Sequence, residues 1–116
     1  MQEAEVLKIF NALSNKIRWQ ILEWLKKPRR HFSDGISIIE GQDIDKIGVS
    51  VGLIQHKAGI SQSTASQYLS LMQEAGLIQA ERIGQWTYYT RNESQINKFI
   101  KYMKRHLKNE RLANSE

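Results

Sequence analysis

The sequence has no cysteine, a single proline and no long run of apolar residues. Without cysteine there is no disulfide framework, no thiolate metal site and no thiol-based redox sensor. No apolar stretch approaches the ~18 residues of a membrane span, which predicts that no membrane is involved. The acidic opening, MQEAEVLKIF, lacks the basic and apolar regions of a secretory signal, so we expect a cytoplasmic protein.

Catalytic and metal-binding signatures are also missing. The three histidines, His31, His56 and His106, are scattered, and no two of them stand four residues apart. There is no HExxH motif, no nucleophile–base signature and no glycine-rich phosphate loop. We therefore expect a protein that is not an enzyme, with no cofactor and no metal site.

Length and charge set the positive expectations. The 116 residues suit one domain, spanning 1–116, with a core of its own. The net charge is +5 at pH 7, from 17 basic and 12 acidic residues. Such a balance favours a nucleic-acid partner, although a solvated basic face would give the same composition.

The first half of the chain predicts two helices and a loop. Apolar spacing predicts a helix over 3–13, and a second helix follows Asn15, a good N-cap residue, and stops at Pro28. Residues 29–48 begin with a basic cluster and continue with SDGISIIEGQDID, which holds four acids and two glycines. We predict a long insertion loop here, in which ISII could form a short strand.

The second half predicts two helices, a hairpin and a final helix. Residues 49–58 form a short helix, or a strand that leads into one, which ends at Gly59, and Ser61 caps a longer helix, 61–75. Two β-rich runs flank the turn dipeptide at 84–85, and a final helix covers about 93–109. The fold class is therefore mainly α with a small β-hairpin, in the order α-α-loop-α-α-β-β-α. This is the order of a winged helix-turn-helix.

The helix over 61–75 is unusually neutral for so charged a chain. Within GISQSTASQYLSLMQEAGL, residues 59–77, only Glu74 is charged. Short hydroxyl and amide side chains suit a helix that enters the major groove and meets base edges. A solvated surface helix is the alternative, but it would normally carry more Glu and Lys. The side chains expected to contact DNA are Gln62, Ser63, Thr64, Ser66, Gln67 and Ser70.

The hairpin favours the same function. Arg82 and Gln85 flank its tip and are expected to contact DNA as well. Trp86 and Tyr88 alternate along the second strand, and we expect both to pack on the core.

Three stretches resemble the ArsR/SmtB family of winged-helix repressors. They are FNALSNKIRWQILEWLK (10–26), AGISQSTASQYLSLMQEAGLI (58–78) and ERIGQWTYY (81–89). The resemblance implies a homodimeric repressor that binds a palindromic operator in double-stranded DNA and releases it when an inducer binds. It also implies a dimer interface formed by the first and last helices, here Val6, Phe10, Phe99, Met103 and Leu107.

Departures from the family pattern concern the inducer. The family's Cys-Val-Cys motif would fall at Ser50, Val51 and Gly52, none of which is a metal ligand. Its last-helix metal site would fall at Glu93, Gln95, His106 and Asn109, which keeps two plausible ligands where about four are needed. We therefore expect an unknown non-metal inducer, or none.

Two questions stay open at this point. The 29–48 insertion could shape a small-molecule pocket, extend the dimer interface, contact phosphates through Arg29, Arg30 and His31, or remain a mobile acidic loop. The alternative function is a protein-interaction module that uses the same winged-helix scaffold.

Overall fold

The computed structural model describes residues 1–32 and 44–109. The helices in these ranges are α1 (Glu3–Leu13), α2 (Lys16–Lys26), α3 (Pro28–His31), α4 (Ile44–Ile47), α5 (Val51–Ala58), α6 (Gln62–Glu74) and α7 (Glu93–Leu107). The strands are β1 (Val49–Ser50), β2 (Ile78–Ile83) and β3 (Trp86–Arg91). The fold is a mainly helical winged helix-turn-helix, as the sequence predicts.

The first helices begin and end where the sequence predicts. The Asn15 side chain accepts hydrogen bonds from the backbone N–H groups of Ile17 (2.9 Å) and Arg18 (3.0 Å), which caps α2. Pro28 follows the end of α2 and opens α3, because proline fits the first turn of a helix, where its missing N–H is not needed.

The predicted insertion loop differs from the structure at both ends. Residues 28–31 and 44–47 are single helical turns, not loop. Such one-turn helices are too short to produce an apolar periodicity that a sequence could reveal. The predicted ISII strand lies outside the described residues.

The hairpin belongs to a sheet of three antiparallel strands in the order β1-β3-β2, whereas the predicted element order contains two strands and leaves a strand before α5 as one of two alternatives. The added strand, β1, pairs Val49 with Tyr89 and Ser50 with Tyr88. Two residues are too few to show the alternation that marks a strand. Strand β1 leads directly into α5, so the sheet is tied to the helix that precedes α6.

One hydrophobic core holds the helices and the sheet together. It contains fully buried residues from four helices, among them Ile9 of α1, Ile21 of α2, Ile54 of α5 and Leu69 of α6. Ile78 of β2 joins the same cluster. Because α6 contributes to this core, its orientation is fixed by packing on one side.

The longest helix is α7, with 15 residues. At 1.5 Å per residue it reaches ~22 Å, less than the ~30 Å hydrocarbon core of a bilayer. Among the described residues, no helix combines the length and the apolar character that crossing a membrane requires.

Candidate nucleic-acid interface

A tight turn sets the angle between α5 and α6. Gly59 ends α5 in the left-handed conformation (φ 66°, ψ 36°), and its N–H donates to the Gln55 carbonyl at 3.0 Å. Ser61 then caps α6, where its Oγ accepts from the Thr64 N–H at 3.1 Å. Both caps agree with the sequence prediction, and together they form the helix-turn-helix.

Helix α6 is buried on one side and open on the other. Ala65, Leu69 and Met72 are fully buried, which anchors the helix along its length. The exposed side chains are uncharged as far as the last residue, Glu74, and include five of the predicted DNA contacts: Gln62, Ser63, Ser66, Gln67 and Ser70. The structure therefore brings these five together on one open face.

Thr64 has a different environment from the other predicted contacts on α6. It is half-buried, and its Oγ1 accepts a hydrogen bond from the Ser61 hydroxyl at 2.9 Å. Its hydroxyl is thus part of the cap, at the margin of the open face.

Tyr68 links α6 to the first two helices. The Arg18 guanidinium lies over its ring, 4.9 Å from the centroid. The same guanidinium donates to the carbonyls of Ala12 (2.7 Å) and Asn11 (3.2 Å) at the end of α1. Sequence reasoning missed this contact, because no local pattern indicates that residues 50 positions apart will meet.

The wing is the hairpin of β2 and β3. Its turn has Gly84 at φ 64°, and Arg82 and Gln85 are both exposed beside it. The Arg82 Nε donates to the Gly84 carbonyl at 3.3 Å, so the guanidinium lies against the tip. These two predicted contacts therefore share the free end of the wing.

The two aromatic residues of β3 have different environments. Tyr88 is 7% exposed and packs in the protomer, as expected. Trp86 was expected to pack on the core as well, but it is 61% exposed. It pairs with Ile83 next to the turn, at the end of the hairpin, where the described residues leave most of the ring open.

Arg91 fixes the base of the wing. Its guanidinium donates to both carboxylate oxygens of Glu93 (2.9 and 3.1 Å) and to the Leu22 carbonyl (3.3 Å). The side chain is only 13% exposed. Burial raises the pKa of Tyr89 on the same strand. Arg91 ties the end of β3 to the last helix through Glu93 and to α2 through Leu22.

Comparisons with known proteins decide what kind of protein carries this surface. No protein-family model matches the chain. The uncharacterized HTH-type transcriptional regulator YbzH of Bacillus subtilis (strain 168) is 51% identical over 100 residues, which cover 86% of this chain and 96% of that relative. An ArsR-like transcriptional regulator from Rhodococcus sp. RHA1 shares the fold, with a TM-score of 0.64 at 22% identity over 88% of this chain and 78% of that one.

A second solved structure is the homodimeric winged helix-turn-helix DNA-binding domain of a possible ArsR-family transcriptional regulator from Mycobacterium bovis. It matches with a TM-score of 0.59 at 26% identity, over 90% of this chain and 83% of that one. The chain belongs to the ArsR family of winged helix-turn-helix transcriptional regulators. The resemblance in the sequence is thereby confirmed.

This ArsR-family chain carries an exposed apolar patch formed by α1 and α7. Its most open members are Leu7 (56% exposed), Phe10 (44%), Ile100 (50%) and Leu107 (72%). Phe99 is partly buried and packs edge-to-face on Phe10, with ring centroids 5.7 Å apart, so the two helices touch here. Met103 is half-buried on the same helix.

The predicted interface set and this patch are not identical. Val6 is 3% exposed and packs inside the protomer, so it has little surface left for a partner. Leu7 was not predicted, although it stands three residues before Phe10, the spacing that places two side chains on one helix face. Ile100 was not predicted to lie at the interface either, although it directly follows Phe99.

The positions of the family's metal motifs have other roles in this ArsR-family chain. The Ser50 hydroxyl caps α5 by accepting from the Leu53 N–H at 3.4 Å, and Glu93 is paired with Arg91. The His106 ring stacks on Tyr102 with centroids 4.0 Å apart. Among residues 1–32 and 44–109 of one chain, no three His, Asp or Glu side chains are grouped to hold a metal ion.

Proposed function

We propose that this ArsR-family regulator is a homodimeric repressor that reads a palindromic operator with helix 61–75 and contacts it with wing 79–90. The observation that carries the proposal is the open face of α6. Its exposed residues are short and uncharged, and its opposite side is completely buried in the core.

The chemistry of that face matches base edges in the major groove. The groove is about 12 Å wide and admits an α-helix, and glutamine can pair bidentately with adenine. Serine hydroxyls bond to phosphates or bases, and the positive end of the helix dipole favours a phosphate near Ser61. Acids on this face would repel DNA, and the face has none before Glu74.

The apolar patch on α1 and α7 supports a two-fold dimer. Four large apolar side chains that are about half exposed or more lie on these two helices, and burying them would remove that surface from water. A two-fold axis would place the two α6 helices on successive major grooves, about 34–36 Å apart. Such an arrangement requires a palindromic operator.

We infer that the inducer, if the protein has one, is not a metal ion. The family's ligand positions in this chain hold a helix-capping serine, an ion-paired glutamate and a stacked histidine. DNA binding by such a regulator would take place in the cytoplasm.

The experiment is a selection of bound sequences from a random duplex pool near physiological salt. We expect a palindrome to be enriched, and we expect binding to it to weaken with salt by about 0.9 in log K per log salt for each phosphate contacted. A pool without enrichment would contradict the proposal. Such a result would favour the interaction module instead.

A further inference from the structure

The environment of Trp86 differs from that of Trp24. Trp24 packs edge-to-face on Phe32, with centroids 6.2 Å apart, and the Lys57 ammonium lies 5.2 Å from its ring. The Trp86 indole is 61% exposed and makes no aromatic or cation–π contact within the part of the chain that the structure describes. Its exposed surface is therefore not explained by the fold.

The hairpin holds this indole in a defined position. Trp86 pairs with Ile83 across the two-residue turn, so two apolar side chains stand together at the free end of the wing. Gly84 has a φ of 64°, and every residue with a positive φ in the described ranges is a glycine. A positive φ at Gly84 but not at Gln85 fits a type II′ turn, whose twist matches that of the strands.

The charge of the wing tip limits what it can gain from phosphates. Between 82 and 87 the only charged residue is Arg82, and its guanidinium donates to the Gly84 carbonyl. One phosphate contact contributes about one unit of salt dependence. Beside this one charge, the tip carries the Trp86 indole, which is 61% exposed.

We propose that Trp86 is an apolar wedge that enters the minor groove beside the half-site contacted by α6. Apolar side chains inserted between base steps partly unstack them and bend the duplex toward the major groove. This inference rests on the proposed DNA-binding function. Bending costs least at flexible pyrimidine–purine steps. The wedge therefore predicts that such steps are preferred under the wing, although no side chain reads their base edges.

The test uses the full chain and the duplex recovered by the selection. Trp86→Ala should weaken binding by about tenfold or more, because stacking and groove burial are lost. The slope of log K against log salt should stay unchanged, because no phosphate contact is removed. Arg82→Ala should instead lower the magnitude of that slope by about one unit.

Two further variants isolate the ring. Trp86→Phe keeps an aromatic ring and should recover part of the affinity. Trp19→Ala is the matched control, because Trp19 is a 48% exposed tryptophan on α2 and not part of the hairpin, and we expect its removal to leave binding unchanged. The bend angle, measured by gel phasing, should fall for Trp86→Ala and stay at the wild-type value for Trp19→Ala.

The outcomes separate the wedge from the proposed function. If the wild type binds the duplex and Trp86→Ala binds and bends it equally well, the wedge is overturned and the function stands. If the wild type selects no duplex, both fail. A change in the sedimentation of DNA-free protein caused by Trp86→Ala would assign the ring to a contact between copies of the chain and would also overturn the wedge. Circular dichroism verifies that each variant is folded.

Discussion

At the scale of single residues, Gly48 shows how closely two parts of the backbone approach. Its N–H donates to the Ile44 carbonyl at 2.8 Å, and its φ is +97°. A Cβ built at this position would lie 2.3 Å from the Tyr89 carbonyl oxygen. No side chain fits there, so β1 can join β3 only with glycine at position 48.

We expect Gly48→Ala to destabilise the protein by about 3 kcal/mol or more, since it adds both a clash with backbone and a strained φ. Urea unfolding followed by circular dichroism measures the effect. Gly52→Ala is the control, because a Cβ there meets nothing within 4 Å and the residue is helical. It should raise stability by about 0.5 kcal/mol. Equal effects of the two substitutions would contradict this reading of Gly48.

Gln67 tests base reading by the open face of α6. Gln67→Ala should cost ~1–3 kcal/mol of binding to the selected operator and relax the base preference at one position in each half-site. Gln73→Ala is the matched control, because it is exposed on the same helix six residues further from the turn. Binding curves on operator variants measure both effects. A Gln67→Ala protein with unchanged base preference would show that Gln67 does not read bases.

At the scale of elements, the residues that cap or end helices allowed the helix boundaries to be predicted. Asn15, Gly59 and Ser61 mark their helix ends by chemistry that acts within four residues, so the sequence reveals them. Strand β1 exists only because β3 lies beside it, and a two-residue strand has no pattern of its own. The sequence therefore left a strand before α5 open as one of two alternatives and could not decide for it.

Two serines near the start of α6 are predicted to differ in their roles, one in stability and the other in operator binding. Ser61→Ala removes the acceptor for the Thr64 N–H and should lower stability by about 1 kcal/mol. Ser66→Ala lies on the exposed face, where alanine is the better helix former, and should leave stability unchanged or slightly higher while weakening operator binding. Unfolding and binding measured on both variants test this. Loss of stability in Ser66→Ala would show that its side chain serves the fold.

At the scale of the whole molecule, the sequence predicted which side chains share a helix face. It did not predict which of them pack against other elements. It correctly placed five uncharged side chains on one face of α6, because helical periodicity alone determines that face. It could not distinguish Val6, packed within the protomer, from Leu7, which is open, because both fit an apolar stripe. The contact of Arg18 with Tyr68 and the exposure of Trp86 likewise depend on where the core ends.

The apolar patch on α1 and α7 yields a prediction about assembly. Ile100→Glu places a charge on a half-exposed residue of the patch and should convert the protein to a monomer that has lost most of its operator affinity. Lys101→Glu, on the adjacent exposed surface of α7, is the control and should remain a dimer. Sedimentation measures the state of each. An Ile100→Glu protein that stays dimeric would move the interface elsewhere.

The fork from Arg91 to Glu93 has a consequence for the spacing of binding sites. Only Asn92 separates β3 from α7, and the Arg91 guanidinium joins both to the Leu22 carbonyl of α2. The wing therefore cannot swivel independently of the helix that we assign to the subunit contact. In a dimer built this way, the distance between the two DNA-binding surfaces can change little. Inserting one base pair between the two operator half-sites should therefore prevent both protomers from binding at the same time.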